Sequence, residues 1–356
     1  MRPIFSGFIL VATASLGLML TGCLMLGADR YIGEKSDHFD GERFFNPGVP
    51  DKKFSDFLRW QRERKAAPWP KWIESKPGPK PAPAVPAQGE APGLWRVTFV
   101  NHATVLLQLH GVNILTDPVW SERTSPVGWA GPKRVRAPGI RFEDLPKIHI
   151  VLLSHNHYDH MDIDTLRRLA ERDSPVIYTG LGNTKYLADR GIDGGIDMDW
   201  WEHRDDPSGL KIHYVPAQHF SARSMFDRNR TLWGGLVVEA PSGRFYFAGD
   251  SGYGPHFKTI GARLGPFRYS LIPIGAYEPR WFMSLAHTNP DEAVRTHLDV
   301  RSQRSLGIHF GTFQLTDESL DAPEEALVVA RDAHRVSEQA FTTLKPGDHH
   351  DVGGSP

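Results

Sequence analysis

Ser154-His155-Asn156-His157-Tyr158-Asp159-His160 stands directly behind the apolar run from Ile148 to Leu153 and ahead of a segment with helical periodicity, Ile163 to Glu171. A buried strand that ends in a polar loop aims its loop side chains into one cleft, and here four of them, His155, His157, Asp159 and His160, are of ligand type. Imidazole nitrogens and carboxylate oxygens in that density suit zinc. Burying them unpaired would be costly, so a metal is the economical reading of the cluster. Three more candidates follow apolar runs in the same way: His219 in Pro216-Ala-Gln-His-Phe220, Asp250 in Phe247-Ala-Gly-Asp-Ser251, and His309 in Gly307-Ile-His-Phe-Gly311.

Working outward, short β-rich runs at Trp95–Val100, Thr104–Leu109 and Val112–Thr116, with a turn at Gly111, predict a meander of strands. Strand and helix then alternate. A strand is expected at Val176–Thr179 and a helix at Thr184–Arg190, followed by strands at Ile212–Val215, Leu232–Val238, Phe245–Phe247 and Leu271–Ile274. Helices are expected at Pro290–Leu298 and Pro323–Arg335. Two β-rich halves, each carrying helices, predict an α/β protein of αββα sandwich type, with both sheets inside. The reading divides the chain into an export segment (1–28), an arm with a proline-rich linker (29–93), a catalytic domain (94–347) and a tail (348–356) that holds His349 and His350. In the arm, Phe54, Phe57, Leu58 and Trp60 share one face of a short helix that could dock on the domain. The stretch around Lys76-Pro-Gly-Pro-Lys-Pro-Ala-Pro83 favours extended chain, as a spacer or a wrapping arm.

Charge and cysteine content narrow the partners. With Lys+Arg 41 against Asp+Glu 42, the net charge of -1 provides no footprint for nucleic acid, and no dinucleotide fold is suggested. The single cysteine cannot build a disulfide framework or a CxxC zinc knuckle. Arg2 and an uncharged run from Ile4 to Ala28 have the layout of an export signal, and Leu20-Thr21-Gly22-Cys23 is similar to the bacterial lipoprotein box. Lipidation at Cys23 would anchor the protein in the cell envelope, facing the periplasm or the exterior. An uncleaved anchor is the alternative, because the apolar run exceeds the roughly 20 residues that span a bilayer.

The order HxHxDH, His, Asp, His resembles dinuclear metallo-β-lactamase-fold hydrolases. Phe247-Ala-Gly-Asp-Ser-Gly-Tyr253, Gly131-Pro-Lys-Arg134, His309-Phe-Gly-Thr-Phe313 and above all Ile272-Pro-Ile-Gly-Ala-Tyr-Glu-Pro-Arg-Trp-Phe-Met283 resemble the N-acyl-phosphatidylethanolamine-hydrolysing phospholipase D branch. The likeness runs from about Trp95 to Gly347. It implies two zinc ions, with iron or manganese as substitutes: one on His155, His157 and His219, the other on Asp159, His160 and His309, with Asp250 bridging. A hydroxide shared by the metals would attack phosphorus, since coordination lowers the pKa of water toward about 7. Asp159 is read as a ligand rather than a general base.

The resemblance further implies a phospholipid substrate cut between phosphate and headgroup alcohol, with His287 near the phosphate. Residues alone make His287 a loop or capping residue. Asp117, at the end of the Val112–Thr116 run, is a candidate partner for a ligand histidine or simply a turn aspartate before Pro118. Tyr158 borders the pocket or packs beside the metal loop. Tyr277 and Arg280 belong to the long motif, and Trp281, Phe282 and Met283 would line an acyl groove, although such a run is ordinarily core. Lys133, Arg134, Arg136 and Arg141 form a basic loop, read as solvated or as a contact to headgroups. Trp200 and Trp201 are assigned to the core, and His102, His110, His149, His203, His213 and His297 to structure. A lactonase, esterase or amidase of the same fold is the other enzymatic reading, and a non-catalytic envelope lipoprotein the third.

Overall fold

A computed structural model describes residues 27–85 and 93–353, so the expectations for the export segment and Cys23 lie outside the described residues. The apolar runs form two seven-stranded sheets. In the first lie β1 (Trp95–Asn101), β2 (Thr104–Leu109), β3 (Val112–Thr116), β4 (Ile150–Leu152), β5 (Val176–Gly180) and β6 (Gly195–Met198). The second takes β7 (His203–Asp205), β8 (Lys211–Val215), β9 (Gly235–Ala240), β10 (Gly243–Phe247), β11 (Tyr269–Pro273), β12 (Ser305–Ile308) and β13 (Phe341–Thr342), while β14 (His349–Val352) returns to the first. Each sheet is mixed. An antiparallel portion, β1 to β3 in one and β7 to β10 in the other, passes into a parallel portion, β3 to β6 and β10 to β13.

Strand alternation explains the layering. On β2 and β3, Val105, Leu107, Leu109 and Ile114 face the partner sheet, whereas Leu106 and Leu115 face outward. Those outward residues are covered by the helices Ile163–Asp173 and Asn183–Ala188 through Leu166, Leu169, Tyr186 and Leu187. The second sheet repeats the arrangement: Leu236, Val238, Phe245 and Phe247 point in, and Val237 and Tyr246 point out, under Phe257 and Ile260 of the helix His256–Leu264. The layers are therefore helix, sheet, sheet, helix. Strands of the parallel portions such as β4 and β11 are buried along their whole length, which is why they read as unbroken apolar runs.

The carboxy terminus corrects the expected boundary. His349 and His350, assigned to a tail, lie in β14 opposite Thr98 and Val97 of β1. An edge strand is held by backbone hydrogen bonds, so its polar side chains give no apolar signature. The short strands β6, β7 and β13 escaped prediction for a related reason.

The arm wraps rather than spaces. Phe39 and Phe44 enter the inner core, and Trp60 of the helix Phe54–Glu63 stacks on Phe282 at 5.2 Å between ring centroids. Only Trp60 of that helix is buried; Phe54, Phe57 and Leu58 are exposed. Beyond it two amides tie the proline-rich chain to the domain: Ile73 N donates to Val135 O and Gly78 N to Gly139 O. The backbones touch at that crossing, since a Cβ on Gly78 would lie 2.6 Å from Gly347 O and one on Gly139 would lie 2.0 Å from Gly347 N. Among the described residues no helix is long and apolar enough to cross a membrane.

Candidate metal centre

Every ligand candidate leaves the same edge of the sandwich. The loop after β4 turns tightly, with His160 N and Met161 N both donating to His157 O, at 3.1 and 2.8 Å. Asp162 then caps the following helix and also accepts from Trp120 N and Ser121 N, which fastens the turn to its neighbours. His219 follows β8, Asp250 follows β10 and His309 follows β12, the last with a positive φ of 63°.

The rings converge in two groups around one carboxylate. His155 Nε2 is 2.8 Å from His157 Nδ1, which is 3.2 Å from His219 Nε2. In the second group Asp159 Oδ2 is 3.2 Å from His309 Nε2 and 3.3 Å from His160 Nε2, and those two nitrogens are 3.1 Å apart. Asp250 Oδ2 sits between the groups, 3.1 Å from His309, 3.2 Å from His160, 3.7 Å from His219 and 4.0 Å from His155. Tetrahedral zinc with bonds of about 2.1 Å would place ligand nitrogens roughly 3.4 Å apart, so these spacings suit shared coordination.

Outer hydrogen bonds fix which nitrogen faces in. Asp117 Oδ2 lies 2.6 Å from His160 Nδ1 and also accepts from Ser154 Oγ, while Asp117 Oδ1 accepts from Ser154 N. His219 Nδ1 donates to Ala286 O at 2.9 Å, and Asn46 of the arm bonds both the amide and the carbonyl of His219. In each case Nε2 is left for the centre.

The electrostatics of the cluster suits a cation. Burial drives His155, His157 and His219 toward the neutral form, and neighbouring imidazoles reinforce it at His155. Burial opposes charge on His309 too, but Asp250 and Asp159 outweigh it and hold the ring up at about 9; His160 is raised for the same reason, with Asp117 contributing. Both carboxylates resist the upward push of burial and lie well below their ordinary range, held there by His160 and His309. Among the described residues Asp250 Oδ1 is buried without a hydrogen-bond partner. Two carboxylates among neutral and protonated imidazoles, most of them buried, form a donor set that fits metal ions.

His102 is the residue that sequence reasoning missed. Assigned to structure, it stands at the β1–β2 turn with φ 48°, and its Nε2 is 3.0 Å from Asp159 Oδ2. It can join Asp159, His160 and His309 around one ion. Its only sequence signal is its place just after a predicted strand, the place shared by the other ligands. His287 lies beside the centre, with Nδ1 3.8 Å from Asp250 Oδ2 and without a hydrogen-bond partner among the described residues.

A cavity of about 590 Å³ opens over His157, Asp159, Asp250 and His287. Phe282 and Met283 line it, together with Trp60 and Phe57 of the arm helix and Phe220, Met225 and Phe226 of the loop after β8. Other expected lining residues lie elsewhere. Tyr158 donates to Arg223 O and faces a separate cavity with Tyr186 and Asp162. Arg280 pairs with Glu292 at 2.7 Å and donates to His287 O, so it holds the His287 loop rather than the cavity. Tyr277 is buried away from it, and Trp281 borders a neighbouring groove under Arg59. Within the basic loop, Arg134 is neither solvated nor free for headgroups; it is buried and donates to Ser121 O and Val119 O.

Comparison with known proteins agrees with this geometry. A Beta-lactamase superfamily domain model matches residues 112–310. The chain is 41% identical over 263 residues to N-acyl-phosphatidylethanolamine-hydrolyzing phospholipase D 1 of Caenorhabditis elegans, covering 70% of this chain and 74% of that one. It is 34% identical over 236 residues to the mitochondrial N-acyl-phosphatidylethanolamine-hydrolyzing phospholipase D of Saccharomyces cerevisiae, spanning 65% of this chain and half (50%) of the yeast protein. In fold it is similar to the isothiocyanate hydrolase from Delia radicum gut bacteria, with a TM-score of 0.59 at 19% identity, over 73% of this chain and 100% of that one.

Proposed function

Since the chain belongs to the metallo-β-lactamase superfamily, within the family of N-acyl-phosphatidylethanolamine-hydrolysing phospholipases D, and is a metal-dependent hydrolase, we propose that it cleaves the phosphodiester of an N-acylated glycerophospholipid. The products would be a phosphatidic acid and an N-acylethanolamine. His155, His157 and His219 would hold one zinc ion, and Asp159, His160 and His309 the other, with His102 beside them and Asp250 between. Bound metal would supply Lewis acidity and a water acidic enough to lose a proton near neutral pH.

The chain's own groups would do the rest. Asp117 and the Ala286 carbonyl keep His160 and His219 in one tautomer. His287, whose Nδ1 has no hydrogen-bond partner among the described residues, is available to donate to a phosphate oxygen or to the departing alkoxide. The apolar walls would take acyl chains and exclude water from the reacting phosphate. A lipid at Cys23, on this proposal, would hold the cavity near its substrate at the envelope membrane.

The observation that carries the reading is the cavity itself, which joins a metal-type floor to a wall of aromatic and Met side chains. A site for a small polar substrate would not need such walls. The test is mass-resolved product analysis of metal-loaded protein with N-acyl-phosphatidylethanolamine, phosphatidylethanolamine and a lactone panel, beside Asp250→Asn. Phosphatidic acid formed by the wild type and lost in the variant is expected. Metal bound with lactone cleavage alone would replace the substrate assignment by a lactonase.

A further inference from the structure

The metal centre does not account for the positive charge on the cavity wall. Lys52, from the arm, and Arg228, from the loop after β8, both line the space over Asp250 and His287. Lys52 Nζ lies 4.5 Å from the centroid of the Phe282 ring, and the Arg228 guanidinium 4.1 Å from that of Phe220. Among the described residues neither forms an ion pair. Burial, then the charges of Arg228 and Arg280, lower the Lys52 ammonium to about 8. Arg228 is likewise half-buried, with Asp51 acting on it only through space. Two cations that repel each other beside an apolar wall are unfavourable unless an anion lies between them.

The rest of the wall states what kind of anion. Phe54 and Met225 line the same cavity as the two cations and are 67% and 77% exposed, so its apolar wall continues out to the protein surface. An inorganic ion would leave that surface wet, whereas an anionic amphiphile covers it.

We propose that Lys52 and Arg228 clamp the phosphoryl group of an amphiphilic substrate, so that the arm supplies a specificity-determining residue to the catalytic cavity. The clamp rests on the phospholipid reading for the identity of its occupant. Charge-assisted hydrogen bonds from two donors to the non-bridging oxygens would hold the phosphoryl over the metal floor while chains lie along Phe57, Phe226 and Phe282.

Isothermal titration of the zinc-loaded full chain with hexyl phosphate, hexyl glucoside and inorganic phosphate tests it, with metal content measured for each variant. Hexyl phosphate should bind at least about tenfold tighter than either comparison ligand, and Lys52→Met and Arg228→Gln should each weaken it by about tenfold, the effect of one charge-assisted contact. Lys52→Arg should retain most of the affinity. Affinity for hexyl phosphate unchanged in both charge-removing variants, at unchanged metal content, would overturn the clamp and leave the anion to the metals alone. Equal binding of inorganic phosphate would overturn the amphiphile assignment. Because binding is read rather than turnover, a clamp that works in a chain that cleaves no phospholipid would separate this inference from the functional one.

Discussion

The metal centre and the arm that walls its cavity are built in opposite ways. The centre is made of side chains at strand ends, placed by buried strands, and two of its rings are locked by outer hydrogen bonds, His160 by Asp117 and His219 by the Ala286 carbonyl. The arm has little regular structure beyond one helix, and a few buried rings, Phe39, Phe44 and Trp60, with scattered backbone bonds keep it in place. Precision is therefore concentrated where coordination needs it, and the arm's share of the cavity wall is a docked surface that can change without disturbing most of the ligands. Asn46 is the exception, an arm residue bonded to both backbone groups of His219.

The sharpest way to break this division is Asp250→Asn. It removes the charge that holds His160 and His309 protonated or metal-bound, so metal content should fall and activity should drop by more than the roughly 10–100-fold expected from losing an outer partner. Asp117→Asn should give the smaller effect: metal affinity lower by about 10–100-fold, read by competition with a chelator, with the fold intact. If Asp117→Asn were the more damaging of the two, the central position of Asp250 would be wrong.

On the other side of the comparison, Trp60→Ala should free the arm helix and leave the centre whole. Trp60 donates to Asp317 Oδ2 and stacks on Phe282, but the helix is otherwise exposed, so the cost should be below the roughly 3–5 kcal/mol of a fully enclosed Trp→Ala change. KM for an acylated substrate should rise about tenfold, with kcat and metal content within about twofold. A fall in metal content would show that the arm supports the ligands beyond Asn46.

These differences follow what the sequence could and could not reveal. The ligand cluster was legible because parallel strands such as β4 and β12 are apolar along their length and end abruptly in polar loops, which marks His155 to His160 and His309, while His219 and Asp250 stand after the apolar ends of β8 and β10. His102 was not, since a histidine in a short β-turn carries no spacing motif and reaches Asp159 only through the pairing of distant strands. The cavity wall was half legible. Phe282 and Met283 were reached by resemblance, but Tyr158 and Arg280 point elsewhere because a loop residue's direction depends on partners such as Arg223 O and Glu292 that no local pattern reveals. Lys52 and Phe220 meet only after the arm has folded back over the domain.

The smallest expected effect tests how the arm is held at its other end. His38 packs on Trp200 at 4.3 Å and lies 2.7 Å from Asp199 Oδ1 and 2.6 Å from Asp37 Oδ1. Burial works against its charge, yet the two carboxylates prevail and raise it above the ordinary imidazole value of 6.5. A group raised on folding stabilises fully below its unfolded pKa and loses that contribution as pH climbs through the folded one. Arm attachment should thus weaken from about pH 6.5 upward, with a slope that one proton limits to at most about 1.4 kcal/mol per pH unit. Protease release of the arm, followed from about pH 6 to 8, should show this slope in the wild type and lose it in His38→Gln, while metal content stays level across the same variant pair. An identical slope in both proteins would mean that the arm's amino-terminal hold does not run through His38, leaving the packing of Phe39 and Phe44 as its anchor.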